Sequence, residues 1–352
     1  MDNKTHSATI ANASSTLINT SSNVVIDIGN ALRLLTDLIE NEEWHNALAW
    51  VNKIQVDSIH NAEYKGTYLW AKAKCFDFLG EQEGIELMYL QSIDLLQNAN
   101  DPFPLIRSLV SLSSYYCYSG QAKKARPLLD KAYQLVTQHD ISGNTRISVL
   151  YATGIMHGRL HQHTVALDFF YEIEGLIKQG RTFTNNGSYQ MAIGYSSIYT
   201  KQFANAEKHY LLAHSIFVAS NDFSRVGMCC KYLGIVYREL NRFYLADFYL
   251  KQALDIFISH NMLDHYYQAK VEQAILLMRT NKDADAKKLC LELHDYRKDD
   301  VRAEVNYLLS KIYYNEKQIE EAMIHLEKAL PFFQNNDHRW LAEAISYRQI
   351  LQ

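Results

Sequence analysis

Proline is scarce in this chain, with four residues in 352 (Pro102, Pro104, Pro127 and Pro331) beside only fourteen glycines. A strand-and-turn architecture needs far more punctuation than that, so long helices are expected. Cysteine is sparse and odd in number: Cys75, Cys117, Cys229, Cys230 and Cys290 show no pairing pattern. Neighbours such as Cys229 and Cys230 leave a helix on different faces and cannot easily bridge each other. Small core residues in a reducing compartment follow, with the cytoplasm as the default. An excess of positive charge is missing too. The formal net charge of −4 offers no electrostatic footprint for nucleic acid. No apolar run reaches the roughly eighteen residues that a membrane span requires. The N-terminus has neither the basic cluster nor the apolar stretch of a signal peptide. Phosphate-binding glycine loops, a G-x-S-x-G elbow and a His-Glu-x-x-His pair are all absent. No catalytic residue, cofactor or metal is therefore expected, and the protein reads as a non-enzyme.

What the chain does have is apolar residues (48%) and modest charge (21%), enough for a continuous core. Thirteen of the first 24 residues are Ser, Thr or Asn, so residues 1–24 read as a solvated, disordered leader. Beyond it an alanine recurs at Ala47, Ala125, Ala166, Ala206, Ala246, Ala286 and Ala322, with Ile85 standing in once. Successive gaps are 38, 40, 41, 40, 40, 40 and 36 residues. A fixed period of this size marks a stacked array of supersecondary units.

The unit from Gly227 to Ile258 shows what repeats. Cys230, Leu233, Gly234 and Tyr237 share one side of a helix, and Glu239 to Arg242 form a polar break. Ala246, Leu250 and Ala253 then mark one face of a second helix. Small residues at Gly234, Ala246 and Ala253 let two backbones approach, while Tyr237 and Leu250 fill the space around the crossing. The matching first-helix position runs Leu35, Ala73, Ser113, Gly154, Gly194, Gly234, Ala274 and Ser310, small in every unit but the first.

This pattern resembles the tetratricopeptide repeat, W-x2-L-G-x2-Y followed by A-x3-F and a last small residue. Cys230-x2-Leu233-Gly234-x2-Tyr237, Ala246-x3-Leu250 and Ala253 carry the match. So do Leu109 to Tyr116 with Ala125, Leu129 and Ala132, and Leu309 to Tyr313 with Ala322, Leu326 and Ala329. The period near 40 exceeds the family's 34, which calls for longer helices or linkers. Longer units of this kind are similar to those of bacterial peptide-sensing regulators and of the sensor arms of some transcription activators.

The resemblance implies an all-α, right-handed superhelical solenoid of about eight antiparallel helix pairs over residues 25–337. A capping helix within 338–352 closes it. It also implies a concave groove lined by first helices, where Trp70, Lys74, Arg107, Tyr118, Tyr151, Tyr195, Tyr199, Lys231, Arg238, Arg279, Tyr307 and Lys311 are the candidate partner-binding residues. Rings interleaved with cations suit an extended or helical peptide carrying carboxylates. The expected function is a protein- or peptide-binding regulatory scaffold. The alternative is a peptide- or small-molecule-sensing arm that controls a separate or C-terminal effector. Nucleic acid and membrane are not expected partners, and a homodimer is left open. His157, His161 and His163 have a spacing compatible with a metal, yet no third ligand type can be named, and packing accounts for His157. Charge reversal at Lys231 and Arg238 is expected to weaken binding while leaving the fold intact.

Overall fold

The structure, a computed structural model, describes residues 27–80, 83–179, 186–294, 296–336 and 338–352. The leader predicted for residues 1–24 lies outside them. Among the described residues there are seventeen α-helices, one 3-10 turn and no strand. They fall into two compact units that divide between Leu160 and His161.

The first unit holds α1 (Ile28–Glu40), α2 (Trp44–Val51), α3 (Ala62–Leu79), α4 (Ile85–Leu96), α5 (Pro102–Tyr118), α6 (Ala122–Gln138) and α7 (Asn144–Arg159). The second holds α8 (His163–Lys178), α9 (Asn186–Tyr199), α10 (Phe203–Ala219), α11 (Phe223–Glu239), α12 (Phe243–Ser259), α13 (Leu263–Arg279), α14 (Asp283–Leu293), α15 (Asp299–Asn315), α16 (Ile319–Asn335) and α17 (Leu341–Leu351). Consecutive helices pair, as in α3 with α4 and α11 with α12, and the first helices of successive pairs pack side by side. Each unit thus presents a face made of first helices: α1, α3, α5 and α7 in one, α9, α11, α13 and α15 in the other.

The long period comes from long helices. α10, α11, α12 and α13 are each 17 residues, and short turns separate them. Each turn hinges on one left-handed residue: Lys201, Asn221, Asn241, Asn261 and Asn281 have φ of 58°, 56°, 56°, 54° and 58°. The recurrence every twenty residues is half the alanine period. Asparagine suits the site because its short polar side chain tolerates positive φ better than most residues. The following amide then reaches back to a helix carbonyl, as Arg242 N to Tyr237 O (2.8 Å) and Met262 N to Phe257 O (2.8 Å) do. Two of the last-turn carbonyl groups at each break are satisfied in this way.

All seven period alanines are fully buried. The facing small positions Leu35, Ala73, Ser113, Gly154, Gly194, Gly234, Ala274 and Ser310 are buried as well. At Gly234 a Cβ atom would stand 2.6 Å from Leu250 Cγ, and at Gly194 it would stand 2.8 Å from the Tyr210 ring. Glycine here is demanded by close approach, since both helices already touch through their partners' side chains. The repeat's tyrosine also links neighbouring pairs. Tyr237 donates its hydroxyl proton to Glu207 Oε1 of α10 (2.9 Å), and Tyr116 to Glu86 Oε1 of α4 (2.6 Å). A core ring thereby ties the α5–α6 pair and the α11–α12 pair each to the one before it.

Candidate functional site

The first-helix face of the first unit is organised by Arg107 on α5. Its guanidinium lies 4.8 Å over the Trp70 ring of α3, donates to Thr36 Oγ1 (3.3 Å) and stands 3.7 Å from Glu40 Oε1 of α1. Trp70 is held in turn by its Nε1 donating to Ser111 Oγ at 2.9 Å. Beside this assembly α1, α3 and α5 enclose a cleft of about 260 Å³, lined among others by Arg33, Asp37, Glu63, Thr67, Asp101 and Arg107. Lys74, one turn beyond Trp70, is partly buried, and burial pulls its pKa down while Asp77 and Glu42 oppose the shift. Tyr118 is the most exposed of the candidates here, with Arg159 over its ring at 5.4 Å. Tyr151 is partly buried on α7.

The second unit carries a denser arrangement. Lys231 and Arg238 lie two turns apart on α11, and both are buried. Arg238 Nη1 donates to Glu272 Oε2 of α13 at 2.5 Å, and its Nε to Glu239 at 3.0 Å. Lys231 Nζ donates to Gln268 Oε1 of α13 (3.3 Å), and Gln268 Nε2 to Asp300 Oδ2 of α15 (3.3 Å). The same ammonium lies 4.9 Å over the Tyr232 ring. Polar rungs thus cross from α11 to α13 to α15. Burial pushes the Glu272 carboxyl up, but Arg238 and Arg339 outweigh that and bring it to about 2. Burial also draws Lys231 down, against the pull of Glu272, Glu304 and Asp300.

Next to the rungs runs an aromatic cluster. Tyr195 donates to the Tyr199 hydroxyl (3.2 Å) and meets the Tyr232 ring edge-on at 5.7 Å, while Tyr232 stacks on Tyr210 at 5.1 Å. His163, from α8, stacks on Tyr199 at 4.3 Å. It is buried with neither ring nitrogen partnered, and burial lowers its pKa to about 4. Among the described residues no three His, Cys, Asp or Glu side chains stand together as a metal site. His161 is the left-handed residue of its turn, with φ 58°.

The remaining candidates lie apart from these rungs. Tyr307 is fully buried in contact with Phe333 and Trp340, and Lys311 pairs with Glu343. Arg279 is exposed and reaches Asn241 Oδ1 at 3.4 Å. The structure brings Tyr195, Tyr199, Lys231 and Arg238 to one face and, within the other unit, Trp70 to Arg107. Burial of Arg238 changes what its reversal would test. A glutamate there would set a third carboxylate beside Glu272 and Glu239, with only Arg339 left to Glu272, so loss of the fold would mask any loss of binding. Sequence reading missed Glu272, Glu304 and Arg339, because their importance comes from neighbours 34 to 67 residues away.

No family model and no curated protein matches the sequence. Solved structures do match. NprR in complex with its cognate peptide NprX superposes with a TM-score of 0.64 at 14% identity, over 80% of this chain and 82% of that one. The fold is the tetratricopeptide-repeat fold. The apo form of the quorum sensor NprR from B. thuringiensis gives 0.62 at 13% identity, over 80% of each chain. A Rap protein complexed with competence and sporulation factor gives 0.54 at 13%, over 90% of this chain and 99% of that one. The helices of this fold are long here, 17 residues in α11, and none of the described helices is long and apolar enough to cross a membrane.

Proposed function

We propose that this protein is a non-enzymatic, peptide-binding regulator whose ligand lies along first-helix faces. The observation that carries the reading is Lys231, a buried ammonium whose hydrogen-bond partner among the described residues is the neutral Gln268 amide at 3.3 Å. An ammonium has three donors, and burying it beside one weak acceptor is unfavourable unless something else meets it. A ligand carboxylate would do so. Arg107 over Trp70 offers a comparable cation in the other unit. Rings beside the cations supply rigid contact area. Two of the similar structures are complexes, NprR with its cognate peptide NprX and a Rap protein with competence and sporulation factor.

A sensing role is supported by the likeness to the quorum sensor NprR. In that reading, occupancy of the face shifts the array between states with different affinity for an effector. All five cysteines are buried free thiols, which suits a reducing compartment such as the cytoplasm.

The test is selection of displayed random peptides on the purified chain, with calorimetry of the enriched sequences. Lys231→Met should weaken acidic peptides held by the second unit, and Arg107→Gln those held by the first, each by about ten-fold, the value of one charge-assisted hydrogen bond of roughly 1.5 kcal/mol. Absence of enrichment, or affinities untouched by both substitutions, would reject the reading.

A further inference from the structure

The cleft of about 260 Å³ in the first unit gathers one carboxylate from each of its three helices: Asp37 of α1, Glu63 of α3 and Asp101, the cap of α5. Two guanidinium groups, Arg33 and Arg107, share the lining. Among the described residues the side chains of Arg33, Asp37 and Glu63 make no hydrogen bond or ion pair. Asp101 gives one oxygen to the Phe103 amide (3.0 Å). Arg107 has five N–H donors, of which Thr36 Oγ1 takes one. Helix stability does not account for Asp37. It lies in the last turn of α1, where the helix dipole favours cations, and that turn carries no basic residue. The groups are also ordered along the cleft. Gly29, Glu63 and Asp101 stand at the starts of their helices, and the Tyr64 hydroxyl lies 3.1 Å from where a Gly29 Cβ would be, closing that end. At the other end Arg107 meets Thr36, the neighbour of Asp37. Gly29 and Thr36 are seven residues apart on α1, so the cleft runs about 10 Å.

We propose that this cleft binds a free basic amino acid, lysine or arginine. Asp37 receives the α-ammonium and Arg107 the α-carboxylate, the pairing for which a guanidinium is shaped. The side chain runs along the cleft, and its cationic head meets Glu63 and Asp101. Charge selects this class of ligand. Three carboxylates face two guanidinium groups, and Arg107 already stands 3.7 Å from Glu40. Arg33 is exposed and long enough to carry its charge into solvent. A ligand with a second cation relieves the repulsion among the carboxylates, whereas an acidic one adds to it. Size selects as well. The volume lies below the roughly 300–1,000 Å³ of pockets for drug-sized ligands, which suits a single amino acid. The site shares Arg107 with the peptide reading but not Lys231, and that keeps the two separable.

The test is titration calorimetry of the full chain with L-lysine and L-arginine, with L-leucine, L-glutamate and cadaverine as controls. At least one basic amino acid should bind with a Kd of about 1 mM or below, and the controls at least ten-fold more weakly. Cadaverine keeps two ammonium groups and lacks the carboxylate, so it reads the part played by Arg107. Asp37→Asn and Glu63→Gln should each weaken binding about ten-fold, and Lys231→Met should leave it unchanged. Thermal melts of both carboxylate variants should match the parent, since neither side chain holds a hydrogen bond among the described residues. No heat from either basic amino acid overturns the proposal, as does equal affinity for leucine or glutamate. Binding lost in Lys231→Met but kept in Asp37→Asn puts the ligand on the other unit and overturns it too. So do lysine-ended peptides that bind where free lysine does not, which would make the cleft part of the peptide face.

Discussion

Gly234→Ala adds one methyl group, and the structure says where it goes. The new Cβ would lie 2.6 Å from Leu250 Cγ, 2.8 Å from Leu250 Cδ2 and 3.3 Å from the Ala246 carbonyl oxygen. Cγ is the branch point of a fully buried side chain, so it cannot swing aside as a chain end could. Relief requires α11 and α12 to separate or Leu250 to leave its rotamer, and overpacking of this kind costs about 1–3 kcal/mol. Alanine in place of glycine in a helix returns about 0.5–1 kcal/mol. The net expectation is a loss of about 1–2 kcal/mol. Leu250→Ala alone should cost about 2–5 kcal/mol through its cavity. In that background the contact is gone, and Gly234→Ala should become stabilising by its helix propensity. The double variant is then more stable than the sum of the singles by about 1–3 kcal/mol. Urea unfolding gives the stabilities, and hydrogen exchange confined to residues 223–259 shows that the loss is local, as expected for nearest-neighbour coupling in an array. Additive singles, or a stabilising Gly234→Ala in the parent chain, would refute the close-approach argument.

Three further outcomes are expected. Asn261→Ala should cost about 1 kcal/mol because φ there is 54°, whereas Asn261→Gly should be near neutral; equal effects in thermal melts would count against the turn reading. Arg238→Met and Glu272→Met should each cost about 3–5 kcal/mol by leaving a buried charge short of its partner, and the double variant should lose much less than their sum; additivity in urea would show that the pair is not coupled. Acidification should destabilise the fold in two stages. His163, His209 and His325 are held near 4 chiefly by burial, so from about pH 6.5 down to about 4 the unfolded chain binds more protons and stability falls with pH. Glu272, brought to about 2, keeps its contribution until the pH drops below about 4.5, so a melting temperature unchanged between pH 7 and pH 5 would contradict buried neutral histidines.

Much of the fold could be read from residue order. The alanines, the small first-helix positions and the tyrosine at Tyr116 and Tyr237 lie at fixed spacing, and each acts on a helix of its own or the preceding pair. The twenty-residue recurrence of Asn221, Asn241, Asn261 and Asn281 was also there to be read, since a left-handed residue at each helix end is a local demand of the backbone. The forty-residue period concealed it. The site was legible only in part. First-helix register pointed to Trp70, Arg107, Tyr195, Tyr199, Lys231 and Arg238, yet gave no sign that Arg238 is buried on Glu272 or that Tyr307 is walled in by Phe333 and Trp340.

Local pattern alone determined that this chain forms long paired helices that bury their small residues against one another, because helix periodicity and turn geometry act over a few residues. Which charges meet was decided by the tertiary structure. Arg339 reaches Glu272 across 67 residues and Glu304 across 35. Nothing in the order of residues encodes that meeting, because it arises only when stacked helices bring the end of the unit onto its own first-helix face and remove the water between them.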